Sequence, residues 1–143
     1  MHKNSLQTLQ DLAHSRVDEA TKKLGELIAS EKASEEKLKM LLDYRREYRE
    51  RFMLAAQNGI DPNVWRNYSA FLEKIDAAVA QQQGFVDKSK QATQTGQKDW
   101  ISERNRAKAL DTLANQQHLK QMYKEAKQEQ KLSDEHAAKK YRT

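Results

Sequence analysis

The chain lacks cysteine entirely and has only one proline and four glycines among its 143 residues. Without cysteine, disulfides and thiol chemistry are excluded, and a reducing cytosol is compatible. No apolar run approaches the ~20 residues of a membrane-spanning helix, and residues 1–10 show no apolar signal-peptide core. These absences favour a cytoplasmic protein made of long helices that are interrupted once.

Apolar residues are also scarce, since 37% of the chain is hydrophobic, 33% is charged and the mean hydropathy is −1.05. So little apolar material cannot build a thick globular core. Leu, Ala and Tyr nevertheless recur at regular spacing, and the abundance of Ala, Glu, Lys, Leu, Arg and Gln is typical of long helices. The net charge of +5 arises from interleaved signs, so it predicts only a mild attraction to acidic partners.

Apolar residues on both sides of the proline follow alternating steps of three and four, the heptad pattern of a coiled coil. Before the proline, the a positions are Val17, Leu24, Leu38 and Phe52, and the d positions are Leu6, Ala13, Ala20, Leu27, Leu41, Tyr48 and Ala55. After it, the a positions are Trp65, Leu72, Val79, Val86, Thr93, Trp100, Ala107 and Ala114, and the d positions are Tyr68, Ile75, Gln82, Ser89, Gly96, Glu103, Leu110 and Gln117. Gln10, Glu31, Ser34 and Arg45 interrupt the first series.

Pro62 marks the break between the two helical stretches. Gly59, after Asn58, can end the first helix in a left-handed conformation, and Asp61 or Asn63 can cap the second. The pattern predicts an all-α fold: a single domain over residues 1–143 in which two long helices form an antiparallel coiled-coil hairpin. Its helices cover about 5–57 and about 64–138, its loop covers about 58–63, and the last part of the second helix has no partner.

A short loop fixes which residues face each other, because their numbers must add up to roughly 120. Leu24 then faces Gly96, so that a large side chain meets a small one. The polar interruptions also coincide, since Glu31 and Ser34 fall opposite residues 82–89. This coincidence predicts a weakly packed stretch of the coiled coil that bends or frays.

No arrangement of residues indicates an enzyme. The histidines, His2, His14, His118 and His136, are scattered and have no cysteine to complete a zinc site. There is no glycine-rich phosphate loop and no nucleophilic serine motif. Carboxylates on an open two-helix hairpin would lie in water, and a pocket that could perturb their pKa values is missing. We therefore expect no catalytic residues, no metal, no cofactor and no small-molecule substrate.

A local arginine cluster leaves a nucleic-acid-binding coiled coil as one alternative. It consists of Arg45, Arg46, Arg49 and Arg51, with Tyr44 and Tyr48 interleaved. Glu47 and Glu50 dilute its charge, however, so a solvated, ion-paired helix face explains the cluster more simply.

The aromatic residues carry more information, because several lie at g positions beside the heptad seam. Tyr44, Phe71, Ala78 and Phe85 occupy these positions, and Leu41, Tyr48 and Ile75 lie next to them near the loop. Either residues 58–68 fold back over this group, or it forms an exposed apolar patch that binds a partner. Self-association of a structural rod through the same aromatics is a further alternative.

These residues also resemble a known family, the flagellar FliJ proteins. The resemblance rests on the following segments: Leu6-x-x-Leu9-x-x-Leu12-Ala13, Val17-Asp18-x-Ala20, Leu38-Lys39-Met40-Leu41-Leu42-Asp43-Tyr44, Glu47-Tyr48-Arg49, Asn58-Gly59-Ile60 and Trp65-x-Asn67-Tyr68-x-x-Phe71. The paired tyrosines, the turn and the aromatic group that follows at a fixed distance are more specific than heptads alone.

The resemblance implies a fold and a set of partners. The fold is an antiparallel two-helix coiled coil that resembles the γ-subunit stalk of rotary ATPases. Its terminal ends are expected to engage a FliI-type export ATPase hexamer, and its loop-proximal side an FlhA-type export-gate membrane protein. Export chaperones are further expected partners. The protein would then be cytoplasmic and peripherally associated with the export apparatus at the inner face of the cell membrane.

The resemblance also assigns a gate-binding patch. It comprises Leu41, Tyr44, Tyr48, Phe71, Ile75 and Ala78, flanked by Lys37 and Gln82. The two flanking residues differ from the glutamine and histidine that the family leads us to expect there. The equivalent stalk of a virulence type III secretion system stays open at this point, and neighbouring genes would separate the two systems.

Overall fold

The computed structural model describes residues 5–142, which form two helices and no strand. Helix α1 covers Ser5–Gln57 and helix α2 covers Pro62–Tyr141. The all-α hairpin predicted from the heptads is confirmed. Helix α2 begins two residues before the predicted position 64 and continues three residues beyond 138. Within residues 5–142, neither helix has the length and apolarity needed to span a membrane.

The turn between the helices shows which of the possible caps the chain uses. Gly59 has a φ of 80°, and its amide donates to the carbonyl of Ala56 at 3.2 Å, which closes the end of α1. The Oδ1 atom of Asp61 accepts a hydrogen bond from the amide of Asn63 at 3.1 Å, so Asp61 is the N-cap. Pro62 therefore occupies the first position of α2, where its missing N–H costs nothing and its fixed φ suits the helix.

The residues group into two compact units, each of which takes a segment from both helices. The loop unit is Ala20–Trp100, and the terminal unit is Met1–Glu19 with Ile101–Thr143. The single domain expected from the length stays a prediction.

Contacts in the loop unit establish an antiparallel register. The indole Nε1 of Trp100 donates to Thr21 Oγ1 at 2.9 Å, and Thr93 Oγ1 donates to the carbonyl of Leu27 at 3.4 Å. A Cβ added to Gly96 would lie 2.6 Å from Cδ1 of Leu27 and 3.5 Å from Cδ1 of Leu24. These partners have numbers that add up to about 120, as predicted. The absent side chain of Gly96 is what allows the two leucines to approach α2.

The polar interruptions meet in the loop unit, but they do not form the loose stretch that we expected. Gln82 is only 5% exposed, and its Nε2 donates to the carbonyl and to Oγ of Ser34 at 3.0 and 3.2 Å. Val86, one turn further along α2, is 2% exposed. Both helices continue through this stretch. The prediction of weak packing was wrong because buried polar groups satisfied by hydrogen bonds can replace apolar contacts.

Burial follows the predicted heptads closely. Every a and d residue assigned in α1 is buried or half-buried, and so are the four interrupting residues. In α2 the exceptions are Trp65, in the first turn, and Gln117; both are exposed. The interruptions in α1 are therefore polar members of the same seam.

The terminal unit has a smaller core. Among its described residues Ala13 and Ala107 are buried, and Asp111 connects α2 to α1 there. Its Oδ1 accepts a hydrogen bond from Gln10 Nε2 at 3.0 Å and lies 2.9 Å from His14 Nε2. From residue 115 to residue 142 every position is exposed. Helical structure in α2 thus extends well past the last buried residue.

Candidate partner-binding surface

Six aromatic side chains form a continuous cluster beside the turn in the loop unit. This aromatic cluster consists of Tyr44, Tyr48 and Phe52 of α1 and Trp65, Tyr68 and Phe71 of α2. The ring of Tyr48 lies at the centre of the cluster. Its centroid is 4.7 Å from the ring centroid of Phe71 and 5.4 Å from that of Tyr68. Tilted and edge-on pairs at such distances are the favourable geometries for aromatic rings. The cluster therefore joins the two helices next to the loop.

The cluster has an inner and an outer part. Tyr68 packs on Tyr48 and on Phe52, so residues next to the loop do cover part of the group. Tyr44 is 44% exposed and Phe71 is 38% exposed. Their rings form an edge-on pair with centroids 6.3 Å apart. The two explanations offered for these aromatics thus apply to different residues, and an exposed pair remains.

Burial also affects the chemistry of the inner part. The pKa of Tyr48 is raised from its ordinary value of 10.0, first by loss of hydration and then by the neighbouring Tyr68 and Tyr44. A phenol with a raised pKa stays neutral over the whole physiological range, and it donates hydrogen bonds without adding charge. The cluster is therefore suited to apolar contact and not to acid–base chemistry.

The structure places the eight residues assigned to the gate-binding patch in three environments. Lys37, Tyr44 and Phe71 are exposed, and Leu41, Tyr48 and Ala78 are half-buried. Ile75 and Gln82 are buried. A partner can thus reach the first three directly, whereas Ile75 and Gln82 are not accessible to it. The part that these residues play in binding stays a prediction.

The side-chain amide of Gln82 is already hydrogen-bonded to Ser34 inside the hairpin. An amide that bonds across the seam cannot turn outward without leaving buried polar groups unpaired. A substitution of Gln82 would therefore affect partner binding indirectly, by changing how the two helices pair.

One exposed neighbour of the patch was missed in the sequence. Met40 is 64% exposed and lines a shallow groove of about 370 Å³ with Tyr44 and the acidic residues Glu36, Asp43 and Glu47. Met40 precedes Tyr44 by four residues, and this spacing puts two side chains on one helix face. That spacing was the clue in the sequence; we overlooked it because Met40 lies outside the heptad seam.

The arginine cluster lies on another face of α1 and is largely ion-paired. Arg45 and Arg49 lie 3.4 and 4.0 Å from Oδ1 of Asp76, and Arg46 lies 3.6 Å from Asp43. These arginines line a groove of about 600 Å³ with Leu42, Met53 and Leu54. Carboxylates so close to the guanidinium groups weaken the field that a phosphate backbone would meet.

The terminal unit presents a polar groove of about 780 Å³. It is lined by Leu6, Gln7, Gln10, Asp11 and His14 of α1 and by Ala114, Gln117, His118, Lys120, Gln121 and Lys124 of α2. Hydrogen bonds from Gln10 and then from His14 lower the pKa of Asp111 below its ordinary value of 3.8. Over residues 5–142 no group of three or more His, Asp or Glu is placed to hold a metal ion, and His2 lies outside that range.

Comparison with known proteins gives a consistent result. The family described as "Flagellar FliJ protein" matches residues 1–143. The chain is 35% identical over 133 residues to the flagellar FliJ protein of Salmonella typhi, and that match covers 93% of this chain and 90% of the relative. It is 33% identical, over the same shares of the two chains, to the flagellar FliJ protein of Escherichia coli K12. Both relatives are flagellar proteins, which favours the flagellar over the virulence system.

Proposed function

The chain belongs to the flagellar FliJ family, and from this premise we propose that it is a non-enzymatic stalk and adaptor of flagellar protein export. As a family member it is a component of the flagellar export system. In the proposed role it binds the export ATPase ring and the export gate. It promotes assembly of the ring and couples ATP hydrolysis to the delivery of substrates and chaperones.

The exposed aromatic pair, Tyr44 with Phe71, is the observation that supports the gate contact. Two large apolar rings from different helices stay accessible beside Met40. Aromatic anchors of this kind, surrounded by polar residues, dominate the energetics of protein interfaces. The half-buried ring of Tyr48 packs against both rings, so the anchors need little rearrangement on binding.

The gate contact is tested with the double variant Tyr44→Ala, Phe71→Ala. We expect its affinity for the purified cytoplasmic domain of the gate protein to fall by about thirtyfold or more, since two hot-spot anchors are lost. Motility should fall with it, while circular dichroism should show unchanged helicity.

The matched control is Leu42→Ala with Met53→Ala, which removes two exposed apolar side chains from the groove lined by the arginine cluster. This control should keep the affinity of the original chain. Normal gate affinity and full motility in the Tyr44, Phe71 variant would contradict the proposed patch.

The ATPase contact is proposed for the terminal unit, which contains both chain ends. The exposure of residues 115–142 supports it, because a long helical surface there is accessible to a partner. Adding the chain to the purified export ATPase should increase co-sedimentation, ring formation and hydrolysis together. A chain ending at residue 114 should lose this effect and keep gate binding. Full stimulation by the shortened chain would place the ATPase contact elsewhere.

We extend the proposal to export chaperones and to a cytoplasmic location at the inner face of the membrane, where gate binding would hold the protein. Family membership supports both. Fractionation of cells with and without the gate protein tests the location, because the chain should leave the membrane fraction when the gate is absent. Retention without the gate would require another membrane contact.

A further inference from the structure

The exposed end of α2 carries two parallel rows of side chains. The apolar row is Leu119, Tyr123 and Ala126. The lysine row is Lys120, Lys124, Lys127 and Lys131. Both rows advance by alternating steps of three and four, so each follows one face of the helix for about two to three turns. All seven residues lie in α2 and are exposed.

The charge of the lysine row is compensated only in part within its own helix, since Glu125 and Glu129 lie on the other flank of the apolar row. Lys120, Lys124 and Lys127 have no Asp or Glu three or four positions away on either side. Only Lys131 has such neighbours, Asp134 and Glu135. Like charges at these spacings destabilise a helix, so carboxylates supplied from outside would be favourable.

The rest of the terminal unit compensates the row only weakly. No ion pair joins any of the four lysines to a carboxylate of residues 5–142. Asp11 is the single carboxylate in the groove that Lys120 and Lys124 line. One carboxylate offsets at most one of the positive charges, and the row keeps a net positive field.

The apolar row has the spacing of a coiled-coil seam but not the position of the seam shared with α1. Leu110 and Ala114 continue that first seam and are half-buried. At 100° per residue, Leu119 and Tyr123 lie on roughly the opposite side of α2. Tyr123 is 71% exposed. An apolar row with heptad steps and no covering partner has the form of a seam that a second helix completes.

We propose that residues 119–131 form a second coiled-coil seam that binds an acidic helix of another protein. The apolar side chains of that helix pack on Leu119, Tyr123 and Ala126, and its carboxylates meet the lysine row. A second copy in antiparallel orientation does not fit, because it would bring an identical lysine row to the interface. Self-association of the chain in sedimentation, with no binding to the acidic helix, would overturn the proposal in favour of a parallel pair that sets Glu125 and Glu129 against the lysines.

The inference goes beyond the proposed function, because it states the chemistry of a partner helix. Its surface lies within residues 115–142, the stretch also proposed for the ATPase contact, and its test uses a synthetic helix so that failure of one proposal can be told from failure of the other.

The test uses the full chain and a labelled synthetic helix of four heptads, with leucine and alanine in its seam and glutamate on both flanks. Fluorescence anisotropy should show binding that weakens as the salt concentration rises. The variant Lys120→Glu, Lys124→Glu, Lys127→Glu should lower the affinity by about tenfold or more.

The matched control is Lys22→Glu, Lys88→Glu, Lys98→Glu, which changes the net charge equally in exposed residues of the loop unit. It should change the affinity by less than about threefold. Equal losses of affinity in the two triple variants would mean that binding depends only on net charge, and this result would overturn the proposal. No binding of the synthetic helix would overturn it too.

The absence of cysteine allows a second measurement of position. A thiol crosslink to cysteine-bearing versions of the synthetic helix should form with Tyr123→Cys and not with Gln121→Cys, which lies on the opposite face. Equal crosslinking of both positions would overturn the proposed seam. Binding to anionic vesicles or to duplex DNA, with none to the acidic helix, would also overturn it in favour of a lipid or nucleic-acid surface.

Discussion

The loop unit and the end of α2 are both helical, yet different forces hold them. In the loop unit, aromatic rings lie 4.7 to 6.5 Å apart and buried side chains tie one helix to the other. From residue 115 to residue 142 every position is exposed. Tyr48 and Tyr123 have the same side chain in these two settings. Packing between helices stabilises the first region, whereas the second has helix propensity and contacts within its own helix.

The sharpest way to break this comparison is to remove one tyrosine from each region. Tyr48→Ala should lower the free energy of unfolding by about 2 kcal/mol, because three aromatic contacts are lost from a half-buried site. Tyr123→Ala should change it by less than about 0.5 kcal/mol. Urea unfolding followed by circular dichroism measures both. Similar losses would mean that the end of α2 is packed after all.

A second comparison uses glutamine. Gln82→Ala should cost about 1–2 kcal/mol, since it removes buried hydrogen bonds to Ser34 and leaves space in the seam. Gln130→Ala removes only an exposed hydrogen bond to Asp134 and should cost less than about 0.5 kcal/mol. Unfolding midpoints of the two variants decide the matter, and a neutral Gln82→Ala would contradict a structural role for the amide.

Two glycines sharpen the comparison within the loop unit. Gly84→Ala should stabilise the protein by about 0.5–1 kcal/mol, because a Cβ there meets nothing within 4 Å and alanine favours helix. In Gly96→Ala the same gain is opposed by the displacement of Leu27. The thermal midpoint should therefore be higher for Gly84→Ala than for Gly96→Ala. The reverse order would argue against the close approach of α1 at Gly96.

The smallest expected effect concerns pH in the terminal unit. Hydrogen bonds from Gln10 and His14 lower the pKa of Asp111 below 3.8. Their stabilising contribution is therefore present above that value and is lost as the pH falls through the lowered pKa. The small difference in Tm between the original chain and Asp111→Asn should close in strong acid. Gln10→Ala should reduce this dependence, and a difference that grows on acidification would contradict the sign.

The architecture could be predicted from the sequence because each helix shows its seam directly. One proline, one left-handed glycine and a heptad spacing that keeps its register through four polar residues are local features. They led to a register that the contacts of Leu24 and Trp100 confirm. The choice between Asp61 and Asn63 as the cap could not be made, because both side chains suit the position.

The surface could be predicted less well, for a physical reason. A heptad assignment says which residues face the partner helix. The exposure of residues beside the seam depends on their size and on the rotamers that large side chains adopt. Phe71 is exposed, whereas Ala78, at the same heptad position one repeat later, is half-buried. The satisfied amide of Gln82 was missed for a related reason, since polar residues at seam positions show no sign of whether they find a partner.

The hydrogen bonds of Gln82 also specify the register in which the two helices pair. A hairpin shifted by one heptad would set the buried amide against Leu27 or Leu41 in place of Ser34, and the unpaired polar group would penalise that alternative. The same shift would carry Tyr44 away from Phe71 and dismantle a surface that exists only when the helices align. Under the proposed function, a substitution at Gln82 should weaken partner binding through the register of the helices, although its side-chain amide is engaged with Ser34 and not with the partner.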